Sequence, residues 1–368
     1  MIYKVVISDR DFNVIEEVQN KIENPQWGYG RLGGCESFSF DVPIRYAEDA
    51  SFGGNYNIKI YRRNPSTNSF DLWYQGRIEN KRYNVKGKRE TINISGNGYQ
   101  SELKGIYVDS DYSSMEVSAI VKDILDNYII PNTNITYDAG DIESTGYTPD
   151  SLEFNTDALS CFETLAKIVG TREWGVDRNR KFFFKARSET VTRTYAMPGK
   201  VLSYDEDMSF DIVNRVIVIG GDVSGTPFTR VVDDAQSQLK WNRRDKVIQN
   251  SSIVTNDVAD QFASAVFAEF SAATFRARAE ILDEALLENT TPIGLVQIIP
   301  SLATYGTKRF GQGLYSAPIQ LQVNKVTYKV DKNRNLVMSI DLGEKRPSIS
   351  EAIGQLENKI NNINAKGV

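Results

Sequence analysis

Histidine does not occur once in the 368 residues of this chain. Its absence removes the commonest general base, the commonest metal ligand and every Ser-His-Asp or Cys-His arrangement, and most hydrolase mechanisms go with them. Cysteine is almost as scarce. Cys35 and Cys161 stand far apart in sequence and supply neither a thiolate zinc site nor a disulfide framework. Cys161 falls inside an apolar helical pattern and reads as a small buried hydrophobe. Long apolar runs are missing as well: no window approaches the roughly 18 residues of a membrane span. The apolar start Met1-Ile2-Tyr3-Lys4-Val5-Val6-Ile7 turns polar at Ser8-Asp9-Arg10, too soon for a signal-peptide core, so synthesis and assembly are expected in a cytoplasm. Nor is one sign of charge dominant. The 43 basic and 48 acidic residues give a net charge of −5 without a long run of either, which argues against tight binding of nucleic acid. No metal and no cofactor is expected.

The residues present describe a chain of several domains, α+β in class and dominated by β structure. Residues 1–105 read as sheet. Alternation marks strands at 3–8, 14–18, 37–42 and 57–62, and a long hairpin at 74–80 and 90–96 turns near Gly87. Residues 106–205 form an α+β unit. A first helix, capped by Ser113 or Ser114, presents Val117, Ile120, Val121, Ile124, Leu125 and Tyr128 and stops at Pro131. A second, capped by Thr156, presents Leu159, Phe162, Leu165, Ala166 and Val169 and closes at Gly170, with a hairpin at 172–187 after it. Residues 206–345 form a second β region, with a helical insertion near 256–273 bearing Val258, Phe262, Val266, Phe267 and Phe270. Its last strands, 319–330 and 335–342, turn at Asp331-Lys332-Asn333-Arg334. Against the first hairpin, Ile78 aligns with Val323, Tyr83 with Tyr328 and Val85 with Val330 at one constant offset. Any two amphipathic hairpins share a period of two, so duplication and coincidence both stand at this level.

The segment 346–368 closes the sequence with a narrow apolar stripe. Ile349, Ile353, Leu356, Ile360 and Ile363 alternate at four- and three-residue spacing and fit d-a-d-a-d of a heptad. Ser348 and Glu351 supply the capping box at its start. β-branching at most of these positions favours three or more strands, so the segment is expected to be a trimerising helix; a terminal helix docked on its own domain is the alternative.

Three clusters carry chemistry to be weighed. Gly220-Gly221 follows an apolar strand, but no Lys-Ser/Thr pair and no helix follow, so a strand bend fits better than a phosphate cradle. Asp205-Glu206-Asp207 offers carboxylates for glycoside hydrolysis or calcium, or simply a solvated connection. Lys81, Arg82, Lys86, Lys88 and Arg89 around Tyr83 suggest a single-strand nucleic-acid platform, or the ordinary charges of a hairpin. The 18 tyrosines and 17 phenylalanines suit cross-strand packing, with an exposed subset able to serve a carbohydrate surface.

Across nearly its whole length the order of these elements resembles the baseplate hub proteins of tailed phages, a family with relatives in contractile injection machines. The likeness rests on Gln75-Gly76-Arg77-Ile78 in the first hairpin, on 159–184 with Gly170-Thr171-Arg172-Glu173-Trp174-Gly175-Val176-Asp177, on Asn214-Arg215-Val216-Ile217-Val218-Ile219-Gly220-Gly221, and on Leu342-Gly343-Glu344-Lys345-Arg346-Pro347. The resemblance implies two tube-like β-barrel domains per chain with the α+β domain between them. It also implies a homotrimer forming a pseudo-sixfold ring, a symmetry adaptor between a sixfold tail tube or distal tail ring and a threefold tip. The expected protein is a structural, non-enzymatic component of the virion tail tip that lets DNA pass transiently. Any spike, fibre or lytic tip protein would be a separate partner. A carbohydrate-binding receptor-recognition tail protein is the alternative, and a His-independent glycosidase using Asp205 and Asp207 a further one.

Overall fold

The computed structural model describes residues 3–46, 52–64, 67–149, 151–169, 172–188, 190–196, 201–223, 226–249, 253, 255–271, 274–282, 294–299, 319–330 and 336–343. The segment 346–368, with Ile349, Ile353, Leu356, Ile360, Ile363 and the cap pair Ser348 and Glu351, lies outside the described residues, as does Gly170. The chain divides into two compact units, one of Met1–Tyr204 with Arg278–Leu342 and one of Asp205–Ala277 with Gly343–Val368.

In chain order the elements begin with β1 (Tyr3–Ser8), β2 (Val14–Glu17), β3 (Glu23–Gly30), β4 (Leu32–Pro43), β5 (Asn57–Arg63), β6 (Phe70–Lys86) and β7 (Arg89–Asn97). Next come β8 (Tyr107–Ser113), α1 (Val117–Ile124), β9 (Ser151–Asp157), α2 (Ala158–Val169), β10 (Arg172–Val176), β11 (Phe182–Ala186) and β12 (Val191–Ala196). After β13 (Val201–Ser209) the second unit contributes β14 (Arg215–Val223), β15 (Thr226–Asp233), α3 (Ala235–Trp241), β16 (Asp245–Gln249) and α4 (Asn256–Phe270). The chain then returns through β17 (Thr274–Leu282), β18 (Gly294–Ile299), β19 (Ile319–Val330) and β20 (Leu336–Gly343).

The main sheet of the first unit runs β20-β19-β3-β4-β7-β6-β5-β1-β2, with β18 against β19 and β12 against β18. Alternation sets its two faces. Phe38, Phe40 and Val42 of β4 and Ile94 of β7 point into the core, while Ser37 and Ser39 are not buried. Among the described residues no sheet closes into a barrel. The two tube-like β-barrel domains expected from the sequence do not stand as separate closed barrels among these residues, and the reason is a strand edge. β19 gives its outer edge to β3, so strands from both β regions share one hydrogen-bonded surface.

The α+β part follows the helical spacing. Val117, Ile120, Val121, Ile124 and Leu125 are all fully buried, and so are Phe162, Leu165 and Cys161, packed with Trp174, Phe182 and Phe184 of the β10–β11 hairpin. The caps differ from those expected. Glu116, not a serine, caps α1 by accepting from the Ser118 amide at 3.1 Å, and Asp157 accepts from the Ser160 amide at the same distance where α2 begins. A carboxylate is the better acceptor because the helix start carries partial positive charge. α1 passes into a π turn over Leu125–Ile129 and ends directly before Pro131.

β10 runs parallel to β4, with Gly175 opposite Gly33 and Val176 opposite Gly34. The approach leaves no room for a side chain: Gly34 adopts φ +77°, and a Cβ there would meet the Val176 carbonyl.

The second unit is a small α/β body with its own core. β14 pairs antiparallel with β15 and parallel with β16, and α4 lays Phe262, Val266 and Phe270 on Val216, Val218 and Ile248. The helix expected as an insertion therefore arrives with a three-stranded sheet. Asn214 is buried at its entrance, donating to the Asn242 carbonyl at 2.7 Å and accepting from the Arg244 amide at 2.7 Å.

Two outcomes follow. Gly34→Ala should lower unfolding stability by about 2–3 kcal/mol, read from a urea midpoint. Glu116 is disfavoured as an anion by burial, but bonds from the Ser118 and Thr145 hydroxyls and the Thr145 and Gly146 amides outweigh this and bring it to about 2. Its contribution is complete above the ordinary value of 4.5 and is lost as pH falls through about 2. Glu116→Gln should therefore flatten the acid limb of the melting-temperature profile in that window, and an unchanged limb would refute the assignment.

Candidate functional site: the repeated hairpins and their edges

The two long hairpins share more than a period. Ile78 faces Gly96 in β6–β7 as Val323 faces Leu342 in β19–β20; Tyr83 faces Ile92 as Tyr328 faces Met338; Val85 faces Glu90 as Val330 faces Leu336. Both ladders break once, and at the same place, between Ile78 and Asn80 in the first and between Val323 and Lys325 in the second. An irregularity of this kind is a local choice of the backbone and does not follow from alternation. The neighbouring strand repeats too: β5 meets β6 with Ile58 opposite Gly76 and Ile60 opposite Tyr74, as β18 meets β19 with Val296 opposite Leu321 and Ile298 opposite Ile319. Coincidence between two amphipathic hairpins does not produce matching breaks, so the three strands β5-β6-β7 and β18-β19-β20 are one repeated module. The sheet order extends the match, β3-β4-β7-β6 in the first half against β13-β17-β20-β19 in the second.

The halves meet where β19 pairs antiparallel with β3, Lys325 opposite Gly30 through Lys329 opposite Gln26. Trp27 of β3 stacks on Tyr328 with ring centroids 5.6 Å apart, and Trp73 meets the same tyrosine edge-on at 5.8 Å. Each such aromatic pair adds about 0.5–1.5 kcal/mol beyond the area it buries. The Arg31 amide donates to the Asn324 carbonyl at 2.9 Å, and Lys325 forms an ion pair with Glu36 of β4. Sequence reasoning missed β3 altogether. Its residues Glu23-Asn24-Pro25-Gln26-Trp27-Gly28-Tyr29-Gly30 hold a proline and two glycines, and Pro25 falls in a register irregularity between Glu23 and Gln26, where no ladder donor is needed. Trp27 was the one residue there that could have signalled a buried strand.

Above this joint the outward face of the sheet is polar, with Gln26, Ser39, Ser95, Asn97, Thr327 and Lys325 around a shallow depression of about 320 Å³.

The clusters weighed from sequence take distinct places. Lys81, Arg82, Tyr83, Lys86, Lys88 and Arg89 are exposed on the far half of the β6–β7 hairpin; the Tyr83 hydroxyl donates to Glu90 at 2.9 Å and Arg89 pairs with Glu23. Asp205 and Asp207 are exposed on β13. Gly220-Gly221 sits in the register shift of β14 between Ile219 and Asp222, where the Gly221 amide bonds the Ile253 carbonyl at 3.1 Å, so the double glycine is a strand bulge. Among the described residues no group of three His, Cys, Asp or Glu side chains is placed to hold a metal, and no helix is long and apolar enough to cross a membrane. Burial pushes both Cys35 and Cys161 up to about 12, so neither is a ready thiolate.

If the β19–β3 joint is the main bond between the halves, Trp27→Ala should cost about 3–5 kcal/mol and speed amide exchange at Val326 and Tyr328. Tyr83→Ala, at the uncovered counterpart, should change monomer stability by less than about 0.5 kcal/mol.

No family model matches the chain, and no curated protein is similar to it in sequence. Solved structures are. The tail protein from Neisseria meningitidis superimposes with a TM-score of 0.61 at 12% identity, over 96% of this chain and 99% of that one. The tail protein of prophage MuSo2 from Shewanella oneidensis gives 0.63 at 11%, over 92% and 98%. A prophage tail protein from Listeria monocytogenes gives 0.56 at 11%, over 98% and 99%. Along nearly its whole length the chain has the fold of these tail proteins.

Proposed function

We propose that this chain is a structural hub of a phage baseplate or tail tip, acting as a homotrimer. The repeated hairpin module, joined edge to edge within one chain and carried on the fold of tail proteins, supports this most directly. Two similar halves in each of three chains make six nearly equivalent units, a threefold particle that can meet a sixfold tail tube or distal tail ring without distorting either. The tube-like domains are residues 1–105 and 206–345, with the α+β domain 106–205 between them, and the tube closes only when three open sheets complete one another. A helix at 346–368, capped by Ser348 and Glu351 and seamed by Ile349, Ile353, Leu356, Ile360 and Ile363, gathers the three chains on one axis.

The polar sheet face suits the wall of a passage. Serine, threonine and amide side chains, with Lys325 held in an ion pair by Glu36, offer little to hold a polyanion in transit, and a net charge of −5 adds mild repulsion. The role is mechanical and not enzymatic, located at the virion tail tip. A spike, fibre or lytic protein at the tip would be a separate chain.

Multi-angle light scattering of the purified full chain should report three chains per particle. Truncation before Ser348 should raise the concentration needed for assembly. A strict monomer at tens of micromolar, or a dimer, would overturn the proposal.

A further inference from the structure

The repeated module has an asymmetry. In the second copy, the outer edge of β19 past the ladder break is occupied by β3, and Val326 and Tyr328 are buried, Tyr328 to 1% exposure. In the first copy, the same stretch of β6 pairs only with β7 among the described residues. Lys81 and Tyr83, which take the register positions of Val326 and Tyr328, are exposed, Tyr83 at 57%, and Val85 beyond them at 59%. A strand edge that carries exposed apolar side chains and open backbone groups is a site for another strand.

The sheet order names that strand. β19 is joined by β3, and the strand that takes the place of β3 in the second half is β13, which among the described residues ends the sheet path with β17 on one side. Charge selects the same pair. Residues 80–86 of β6 read Asn-Lys-Arg-Tyr-Asn-Val-Lys, with three cations and no anion, whereas β13 reads Val-Leu-Ser-Tyr-Asp-Glu-Asp-Met-Ser, with three anions and no cation. Two β6 edges would repel each other, as would two β13 edges; β6 against β13 attracts. Leu202, 52% exposed on β13, brings apolar surface to match Tyr83 and Val85.

We propose that the outer edge of β6, residues 80–86, pairs antiparallel with the outer edge of β13 in a second copy of this chain, setting Arg82 opposite Asp205 and diagonal to Asp207 on one face of the new ladder. The pairing rests on the hub reading, since it names the contact between its chains. It is heterologous, each chain offering β6 to one neighbour and β13 to the other, and such contacts propagate until a ring closes. It also gives the two charge clusters one shared role: neither is a catalytic pair or a nucleic-acid platform, and each is half of an interface.

The test is charge reversal in the full chain. Arg82→Glu, and separately Asp205→Lys, should each weaken assembly at least about tenfold in the concentration dependence of light scattering. Joining the two substitutions in one chain should restore assembly to near the wild-type level, and circular dichroism should show every variant folded. As a second measurement, Arg82→Cys with Asp205→Cys should give disulfide-linked ladders on mild oxidation, because native Cys35 and Cys161 are both buried. A trimer that tolerates either reversal and forms no ladder overturns the pairing and leaves the hub standing. A monomeric wild type overturns both. Rescue and ladders in a particle that is not a trimer uphold the pairing and overturn the threefold reading. Loss of single-stranded DNA retention with unchanged assembly would make the β6 edge a nucleic-acid surface and overturn the pairing.

Discussion

The organisation of the first unit depends on one hydrogen-bonded seam, the antiparallel pairing of β19 with β3. Strand edges are obligatory hydrogen-bonding surfaces, and a chain that builds two copies of one module must dispose of the edges of both. Closing each module on itself would have produced two barrels. Here one edge of the second module goes to the first, and the seam is made specific by what covers it: Trp27 stacked on Tyr328, Trp73 against the same ring, and Lys325 paired with Glu36. A slip of one residue would turn Tyr328 to the polar face, which makes the register of the seam hard to mistake.

How legible this was depended on the kind of signal each element carries. Strands with clean alternation and helices with a clean apolar stripe could be read from the sequence. β1 and β19 have the expected limits, and most of the expected stripes of α1 and α2 are buried, with Tyr128, Leu159 and Val169 only partly so, because there local pattern and tertiary burial demand largely the same residues. β3 could not be read, because its backbone is shaped by Pro25 and by close approaches at glycines that only a partner strand explains. β8 and β9 were hidden for a different reason. Among the described residues they pair only with each other, and residues such as Asp109, Asp111 and Asn155 leave little apolar alternation. The caps went to Glu116 and Asp157 because a carboxylate satisfies several donors at once, which hydroxyl statistics alone do not anticipate.

The functional surface was legible only in fragments. The constant offset between Ile78 and Val323 was visible, but its meaning lay in the matched ladder breaks, a backbone property with no residue signature. The basic cluster at Lys81 and Arg82 and the acidic run at Asp205 were each noticed and each, taken alone, had a bland explanation. Only strand order relates them, so no inspection of either segment could have joined them.

The second unit shows what such an architecture tolerates. In the first half β3 passes to β4 through Arg31 alone, whereas in the second half the whole segment from β14 to α4 stands between β13 and β17. An insertion between paired strands lengthens a connection without altering the ladder they form, and its entropic cost grows only slowly with length. The insertion also supplies its own core, with Phe262, Val266 and Phe270 closing over Val216 and Val218, so it asks nothing of the repeat's packing. Divergence between the halves is thereby concentrated in connections, while the strands of the repeated module keep their register.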